Sequence, residues 1–239
     1  MGAWAAVRRR NPGHSMWRIL LWSVIRATLW VVQLTVWQHR WWGSHRVPAR
    51  GPVVLVSNHQ SYLDLSIIAM GLPDRHFHPM AEAYLFENRW FAWLIRSLNA
   101  FRVEQGKGDI AAIRTAIARL NEGHVLTVFA EGRRTSDGAV DVFHPGIMTV
   151  VKRARPTVVP VAIEGAFDVW PRSRKLPRLQ GTTALKFGKA IDPETLLAME
   201  PKAAMGLLRD RVDAMRLELR ADMRRRMGGR FPPPGVGDG

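Results

Sequence analysis

Two short segments of the chain carry side chains whose types and spacing suit acid–base chemistry and anion binding. The first is Asn58-His59-Gln60-Ser61-Tyr62-Leu63-Asp64, in which a histidine follows an apolar run and precedes an aspartate by five residues. A carboxylate at that spacing can fold back across one helical turn, fix the tautomer of the imidazole and stabilise its protonated form. We therefore predict His59 as a general base oriented by Asp64, with the attacking hydroxyl belonging to the substrate. Taken alone, the segment is better explained by Asn58 and His59 capping a helix.

The second segment is Phe129-Ala130-Glu131-Gly132-Arg133-Arg134-Thr135, which also follows an apolar run. Its glycine permits close approach of the backbone to a ligand, and Arg133 and Arg134 offer forked donors that suit a phosphate. An arginine pair in a turn is also common on solvated surfaces, so this segment alone does not identify a site.

The elements that must position these segments follow a β–α pattern from residue 51 onward. Apolar runs predict strands at residues 53–57, 76–81, 100–103, 124–130, 157–163 and 183–187. Helices are predicted at 63–70, from 82 up to 97, at 109–121, 146–155 and 202–226. This alternation predicts an α/β fold with a mostly parallel central sheet covered on both faces. Both segments leave predicted strands, and such sheets place their sites at the carboxyl ends of the strands.

The N-terminal part is predicted to be a helix of a different kind. Seven of the ten tryptophans fall within residues 1–42, and residues 16–42 contain no Pro or Gly. On a helical projection, Arg18, Arg26, Gln33 and Arg40 share a stripe with several tryptophans, whereas the opposite side is apolar. The pattern predicts an amphipathic helix that seats the protein on a membrane. A tilted single span and a helix packed on the protein's own core are the alternatives.

The chain therefore divides into four predicted parts. They are a basic flexible lead (1–15), the membrane-interface helix (16–47), a single globular domain (48–227) and a tail (228–239) whose prolines and glycines predict disorder.

The bulk composition narrows the function classes. A net charge of +15 favours an anionic lipid surface, nucleic acid or an acidic substrate as partner. Tryptophan clustered beside arginine is typical of membrane interfaces, so an anionic bilayer ranks first and no nucleic-acid partner is expected. The absence of cysteine excludes disulfides, a thiol nucleophile and cysteine metal sites, and the histidines lack metal-like spacing, so no metal is expected.

Three motifs in order resemble the glycerolipid acyltransferase family, which includes 1-acylglycerol-3-phosphate acyltransferases. They are Asn-His-x4-Asp at 58–64, Phe-x-Glu-Gly-x-Arg-Thr at 129–135 and Val-Pro-Val at 159–161, and the resemblance covers roughly residues 52–190. It implies a single acyltransferase domain with His59 as general base and Asp64 as its orienting carboxylate. It also implies that Glu131, Gly132 and Arg134 help to bind the phosphate of the acceptor.

The sequence departs from the family pattern at several positions. Ala130 and Arg133 stand where the family usually has Pro and Thr, and Gln105 follows Glu104 where the family has an arginine. Arg102, Lys107 or Arg133 could replace that arginine, and His144 is either a substrate contact or part of a structural turn. The predicted substrate-binding residues are therefore Asn58, Arg102, Glu131, Gly132, Arg133, Arg134, Thr135 and His144.

The resemblance implies transfer of a fatty acyl group from acyl-CoA or acyl-carrier protein to the free hydroxyl of 1-acylglycerol-3-phosphate, in phospholipid biosynthesis. No cofactor is expected besides the thioester co-substrate, and the expected location is the cytoplasmic face of the cell membrane. The alternatives are the same chemistry on another lysolipid or a glycolipid, a lipid hydrolase, and a non-catalytic basic membrane-binding protein. The acceptor headgroup, acyl length, donor and oligomeric state are left open by the sequence.

Overall fold

A seven-stranded sheet forms the centre of the computed structural model, which describes residues 15–72, 75–104 and 109–238 together with Ala5. The strands are β1 Arg40–Trp42, β2 Val53–Ser57, β3 Phe77–Glu82, β4 Phe101–Val103, β5 Val125–Phe129, β6 Thr157–Glu164 and β7 Ala184–Phe187. The helices are α1 Met16–Trp37, α2 Asp64–Gly71, α3 Arg89–Ser97, α4 Ile110–Asn121, α5 Ile147–Ala154, α6 Ala166–Val169, α7 Pro193–Leu197 and α8 Pro201–Arg226. Short 3₁₀ helices lie at Ser44–Arg46, Ala83–Phe86 and Val236–Asp238.

The sheet is mostly parallel and its central strands are buried on both faces, which confirms the predicted α/β fold. Its strand order is β1-β7-β6-β2-β5-β3-β4, and only the β6–β7 pair among these strands is antiparallel. Alternate residues of β2 face opposite cores: Val54 and Val56 pack with α4, α5 and α8, whereas Val53 and Leu55 pack with α2. Helices on both sides explain why the first four residues of this strand are all apolar.

The ends of several elements differ from the sequence prediction. The helix predicted over 16–42 ends at Trp37, because Gln38 adopts a left-handed conformation and Arg40–Trp42 instead form β1, parallel to β7. The short helices α6 and α7 were not predicted, since four or five residues are too few to show a helical period. The start of α4 follows the prediction, with the Asp109 carboxylate accepting the Ala112 N–H at 2.9 Å.

Helix α1 rests on the domain by one face only. Gln33 donates to Ser66 Oγ at 2.6 Å, and the indole N–H of Trp37 donates to the Arg178 carbonyl at 2.7 Å. The stripe predicted as the polar edge of a membrane helix is thus partly turned inward. The outward face is apolar and exposed, and comprises Met16, Trp17, Leu20, Val24, Trp30, Val31 and Val32. By length and composition α1 is also long and apolar enough to cross a membrane.

The C-terminal segment 228–238 lies against α8 in this structure, and the disorder expected for residues 228–239 stays a prediction. The Asp238 carboxylate contacts Arg220 at 2.6 Å and Arg224 at 2.7 Å, and Arg220 also donates to the Pro233 carbonyl at 2.9 Å. Arginine side chains of the helix contact this segment, and Phe231 packs against both hydrophobic cores. The composition of the segment does not reveal the arginine contacts. Gly239 and most of the predicted N-terminal lead lie outside the described residues.

We expect Arg220→Ala to lower the free energy of unfolding by about 3–5 kcal/mol, because it removes one partner of a buried carboxylate. Glu164 is fully buried and contacts both Arg220 and Arg216. The control is Arg225→Ala on the same helix, whose exposed ion pair with Asp222 is worth about 0–1 kcal/mol. Urea unfolding of the two variants measures the difference, and equal midpoints would contradict the structural role assigned to Arg220.

Candidate active site

His59 and Asp64 form a hydrogen-bonded pair where β2 passes into α2. His59 Nδ1 lies 2.6 Å from Asp64 Oδ2. Asp64 is fully buried at the start of α2, and the same oxygen accepts the backbone N–H groups of Gln60 at 2.7 Å and Ser61 at 2.8 Å. Three donors therefore fix this carboxylate oxygen, and the carboxylate in turn fixes the histidine ring.

The imidazole of His59 is held between the carboxylate and an aromatic ring. It stacks on Phe129 with ring centroids 3.9 Å apart and planes 9° from parallel, and 20% of its side chain is exposed. Because Nδ1 is engaged by Asp64, Nε2 is the ring nitrogen left to accept a proton. This geometry suits a general base with an orienting carboxylate.

The two segments singled out in the sequence are tied together through the main chain of His59. The His59 N–H donates to Glu131 Oε1 at 2.8 Å, and the His59 carbonyl accepts the Thr135 N–H at 2.8 Å. The other oxygen of Glu131 accepts the Asp141 N–H at 3.4 Å, and burial raises the pKa of Glu131 to about 7. Glu131 and Thr135 thus brace the loops beside the histidine rather than line an open cavity.

Asn58 joins β2 to the neighbouring strand β6. Its side-chain amide donates to the Ile163 carbonyl and accepts the Ile163 N–H, both at 2.9 Å, and it is fully buried. Asn58 therefore fixes the end of the strand that carries His59, without reaching the cavity itself.

The three predicted arginines occupy different surroundings. Arg134 lines the cavity beside His59, with its guanidinium 3.6 Å from the centroid of the Tyr62 ring. Arg133 pairs with Asp141 at 3.0 Å on the surface, and Arg102 pairs with Glu104 at 3.1 Å on β4. Neither of these two lines the cavity.

The remaining predicted contacts lie at the edge of the second segment. Gly132 has a positive φ of 70°, and an added Cβ there would lie 3.5 Å from the His144 ring. His144 is exposed, and its N–H donates to the Ala130 carbonyl at 2.9 Å. Lys107 and Gln105 lie outside the described residues.

A cavity of about 460 Å³ opens beside His59 and lies between α1 and α3. Its walls are mainly apolar, which suits an acyl chain, and its polar groups gather near His59 and Arg134. Arg26 of α1 also lines the cavity. The sequence analysis did not predict this cavity, since helical periodicity alone does not distinguish a cavity wall from a core. The wall residues contributed by the helices are Trp22, Ile25 and Leu29 of α1, Leu65 and Ala69 of α2, and Phe91, Leu94, Ile95 and Leu98 of α3.

We expect Asp64→Asn to slow turnover by roughly 5- to 30-fold, because a neutral hydrogen bond replaces a charge-assisted one worth about 1–2 kcal/mol more. Asp64 Oδ2 accepts all three hydrogen bonds, whereas Oδ1 is buried with no hydrogen-bond partner among the described residues. An asparagine can place its oxygen at the Oδ2 position and so keep the geometry while losing the charge. Steady-state kcat measures the effect, and an unchanged kcat would argue against a role for the charge.

The fold and the site define an α/β protein with a histidine–aspartate pair at its strand ends, beside an apolar cavity. Residues 39–164, just over half of the chain, match the sequence profile of the Acyltransferase family, and the chain belongs to that family.

The matched relatives are named 1-acyl-sn-glycerol-3-phosphate acyltransferases. That of Bacillus subtilis (strain 168) is 27% identical over 124 residues, which cover 52% of this chain and 61% of the relative. The alpha form of Mus musculus is 27% identical over 140 residues, which cover 56% and 47%. That of Streptococcus pneumoniae is 25% identical over 187 residues, which cover 77% and 66%. The matches to these three relatives thus span less than two thirds of each relative's own length.

A solved structure has the same fold. The 1-acyl-sn-glycerophosphate acyltransferase PlsC from Thermotoga maritima superposes with a TM-score of 0.74 at 25% identity, over 85% of this chain and 81% of that one. The likeness extends beyond the region matched by the family profile.

Proposed function

We propose that this chain transfers a fatty acyl group from a thioester, acyl-CoA or acyl-carrier protein, to the free hydroxyl of 1-acylglycerol-3-phosphate. The observation that carries the proposal is that His59, oriented by Asp64, shares one largely apolar cavity with Arg134. This reaction requires, among other things, a base, a phosphate partner and room for an acyl chain. The names of the matched relatives support lysophosphatidate as the acceptor.

The chemical step is a direct transfer within a complex of both substrates. His59 Nε2 takes the proton of the acceptor hydroxyl as its oxygen attacks the thioester carbonyl, forming a tetrahedral intermediate. The carbon–sulfur bond then breaks, and the leaving thiolate takes the proton from the imidazolium of His59. Asp64 stabilises that imidazolium between the two proton transfers. The chain has no cysteine and no Gly-x-Ser-x-Gly motif, which favours direct transfer over an acyl-enzyme.

The acceptor is oriented by its phosphate. Arg134 presents its guanidinium at the cavity wall, stacked over Tyr62, and one of its nitrogens, Nη1, is buried with no hydrogen-bond partner in the described part of the chain. A phosphate oxygen can fill that position with a charge-assisted hydrogen bond. Arg26 adds a second positive charge to the same cavity.

The exposed apolar face of α1 seats the domain on an anionic bilayer. Its leucine, valine and tryptophan side chains suit the headgroup boundary, and the net charge of +15 attracts anionic lipid. The cytoplasmic face of the cell membrane is the proposed location, because the thioester donors are dissolved there.

The proposal is tested by transfer of labelled palmitate from palmitoyl-CoA or palmitoyl-carrier protein to a panel of acceptors in detergent. The panel contains lysophosphatidate, neutral and zwitterionic lysolipids, and a glycolipid. We expect labelled phosphatidate as the main product. Product with another acceptor alone would keep the chemistry and change the substrate, whereas labelled free fatty acid without acceptor would indicate a hydrolase. No product with any acceptor would contradict the proposed activity.

A further inference from the structure

Helix α3 carries a group of exposed aromatic side chains, most of which lie outside the cavity. Trp90 is 84% exposed, Trp93 55% and Phe91 43%, all within four residues of the chain. Single exposed apolar residues are ordinary, but adjoining ones mark an interaction surface. Of these three, only Phe91 also lines the cavity, so Trp90 and Trp93 need another explanation.

This group is continuous with the exposed face of α1. The ring of Trp93 stacks on that of Trp17, with centroids 6.1 Å apart and planes 19° from parallel. Trp17 belongs to the same outward face of α1 as Leu20 and Val24. Two helices more than fifty residues apart in sequence thus present one apolar surface.

The charges around this surface favour an anionic bilayer as its partner. Arg18, Arg89 and Arg96 are exposed at its borders, and α3 itself contains no acidic residue. Glu87, two residues before α3, is an exposed acidic neighbour. Tryptophan settles at the headgroup level of a membrane, because its ring is apolar and its N–H is polar, and arginines beside it attract anionic lipids.

We propose that α3 is a second membrane-contacting element, which together with α1 seats both walls of the cavity in the headgroup layer of an anionic bilayer. The cavity lies between these two helices, with Leu29 of α1 and Leu94 of α3 among its wall residues. Acyl chains then pass from the bilayer into the cavity without crossing water. This inference rests on the proposed seating of α1 and adds a second element with its own contacts.

The absence of cysteine allows single nitroxide labels to measure depth. We would label Trp90→Cys on α3, Leu20→Cys on the exposed face of α1 and Asp210→Cys on α8, which packs on the opposite face of the sheet. The labelled full-length chains are bound to vesicles of phosphatidylglycerol and phosphatidylcholine. Collision with oxygen, which concentrates in the bilayer, is compared with collision with a water-soluble nickel complex. We expect positions 90 and 20 to be accessible to oxygen and shielded from nickel, and position 210 to show the reverse.

The outcomes separate the two helices. Nickel access at position 90 with shielding at position 20 would overturn the role of α3 and leave the seating of α1 intact. Nickel access at both positions would overturn both. Shielding at position 90 that appears without vesicles and rises with protein concentration would assign the surface to a second copy of the chain and overturn the lipid assignment.

A functional comparison provides an independent readout. We expect Trp90→Gln combined with Trp93→Gln to lower the affinity for these vesicles roughly tenfold, with an unchanged rate on detergent-dispersed substrate. The control is Trp42→Gln, an exposed tryptophan of β1 outside this surface. Equal vesicle affinity of the double variant and the control would overturn the proposal. Thermal unfolding of each variant establishes that the fold is retained.

Discussion

We expect His59→Ala to lower kcat for acyl transfer by about 10²–10⁴-fold, the contribution that a general base typically makes. Without the imidazole, no side chain held by Asp64 can take the proton of the acceptor hydroxyl. The fold should survive, because the contacts of His59 with Glu131 and Thr135 use its main chain, and its side chain is partly exposed. Initial rates with saturating lysophosphatidate and palmitoyl-CoA measure the effect.

A histidine outside the site provides the matched control. His45 is exposed in the 3₁₀ helix after β1 and does not line the cavity. His45→Ala should retain the wild-type rate, and both variants should unfold at similar temperatures. A His59→Ala variant that is folded and within threefold of the wild-type rate would rule out His59 as the base.

We expect Arg134→Ala to lower kcat/KM for lysophosphatidate roughly 10- to 150-fold, since a charge-assisted hydrogen bond is worth about 1.5–3 kcal/mol. The guanidinium lies in the cavity beside His59 and is braced by the Tyr62 ring. For an acceptor without a phosphate, such as a monoacylglycerol, kcat/KM of the variant should stay close to that of wild type, because the lost contact is to the phosphate.

The neighbouring arginine makes this prediction specific. Arg133 pairs with Asp141 on the surface and lies outside the cavity wall, so Arg133→Ala should leave kcat/KM within about threefold of wild type, as for an exposed ion pair. Equal losses of kcat/KM in the two variants would mean that the overall positive charge of the loop attracts the acceptor. They would contradict a specific contact between the phosphate and the Arg134 guanidinium. A loss of kcat/KM in Arg133→Ala alone would show that Arg133, and not Arg134, binds the phosphate.

The central strands were predictable from the sequence because residues next to them in the chain mark where each strand begins and ends. Four apolar residues and a serine between Pro52 and Asn58 gave β2 with both its ends, and Asp109 marked the start of α4. Strand β1 was not predictable in the same way. Trp41 and Trp42 continue the apolar character of α1, and only their pairing with β7, more than 140 residues away, makes them a strand.

The candidate site was partly predictable for a related reason. The spacing of His59 and Asp64 within one turn sets their contact locally, so sequence alone could propose it. The separation of Arg133 from Arg134 depends on how the loop after β5 folds against Tyr62 and Asp141, which no local pattern encodes. The supporting roles of Asn58 and Glu131 likewise depend on contacts between distant loops and strands.

The contacts of the C-terminal segment were not predictable from its composition. Residues 228–238 contain many prolines and glycines, yet Arg220 and Arg224 of α8 hold the segment through Asp238 and the carbonyls of Pro232 and Pro233. The composition of a segment does not register partners that belong to another element.

A single-turnover experiment with labelled palmitoyl-CoA and enzyme in excess tests direct transfer from thioester to acceptor most directly. With lysophosphatidate present, we predict that the label passes from the thioester to phosphatidate at the rate of thioester loss, and that His59→Ala leaves the thioester intact. With no acceptor, the thioester should persist in the wild type and no label should become attached to the protein. Label on the protein, or thioester loss at the same rate without acceptor, would contradict His59 acting on the acceptor hydroxyl.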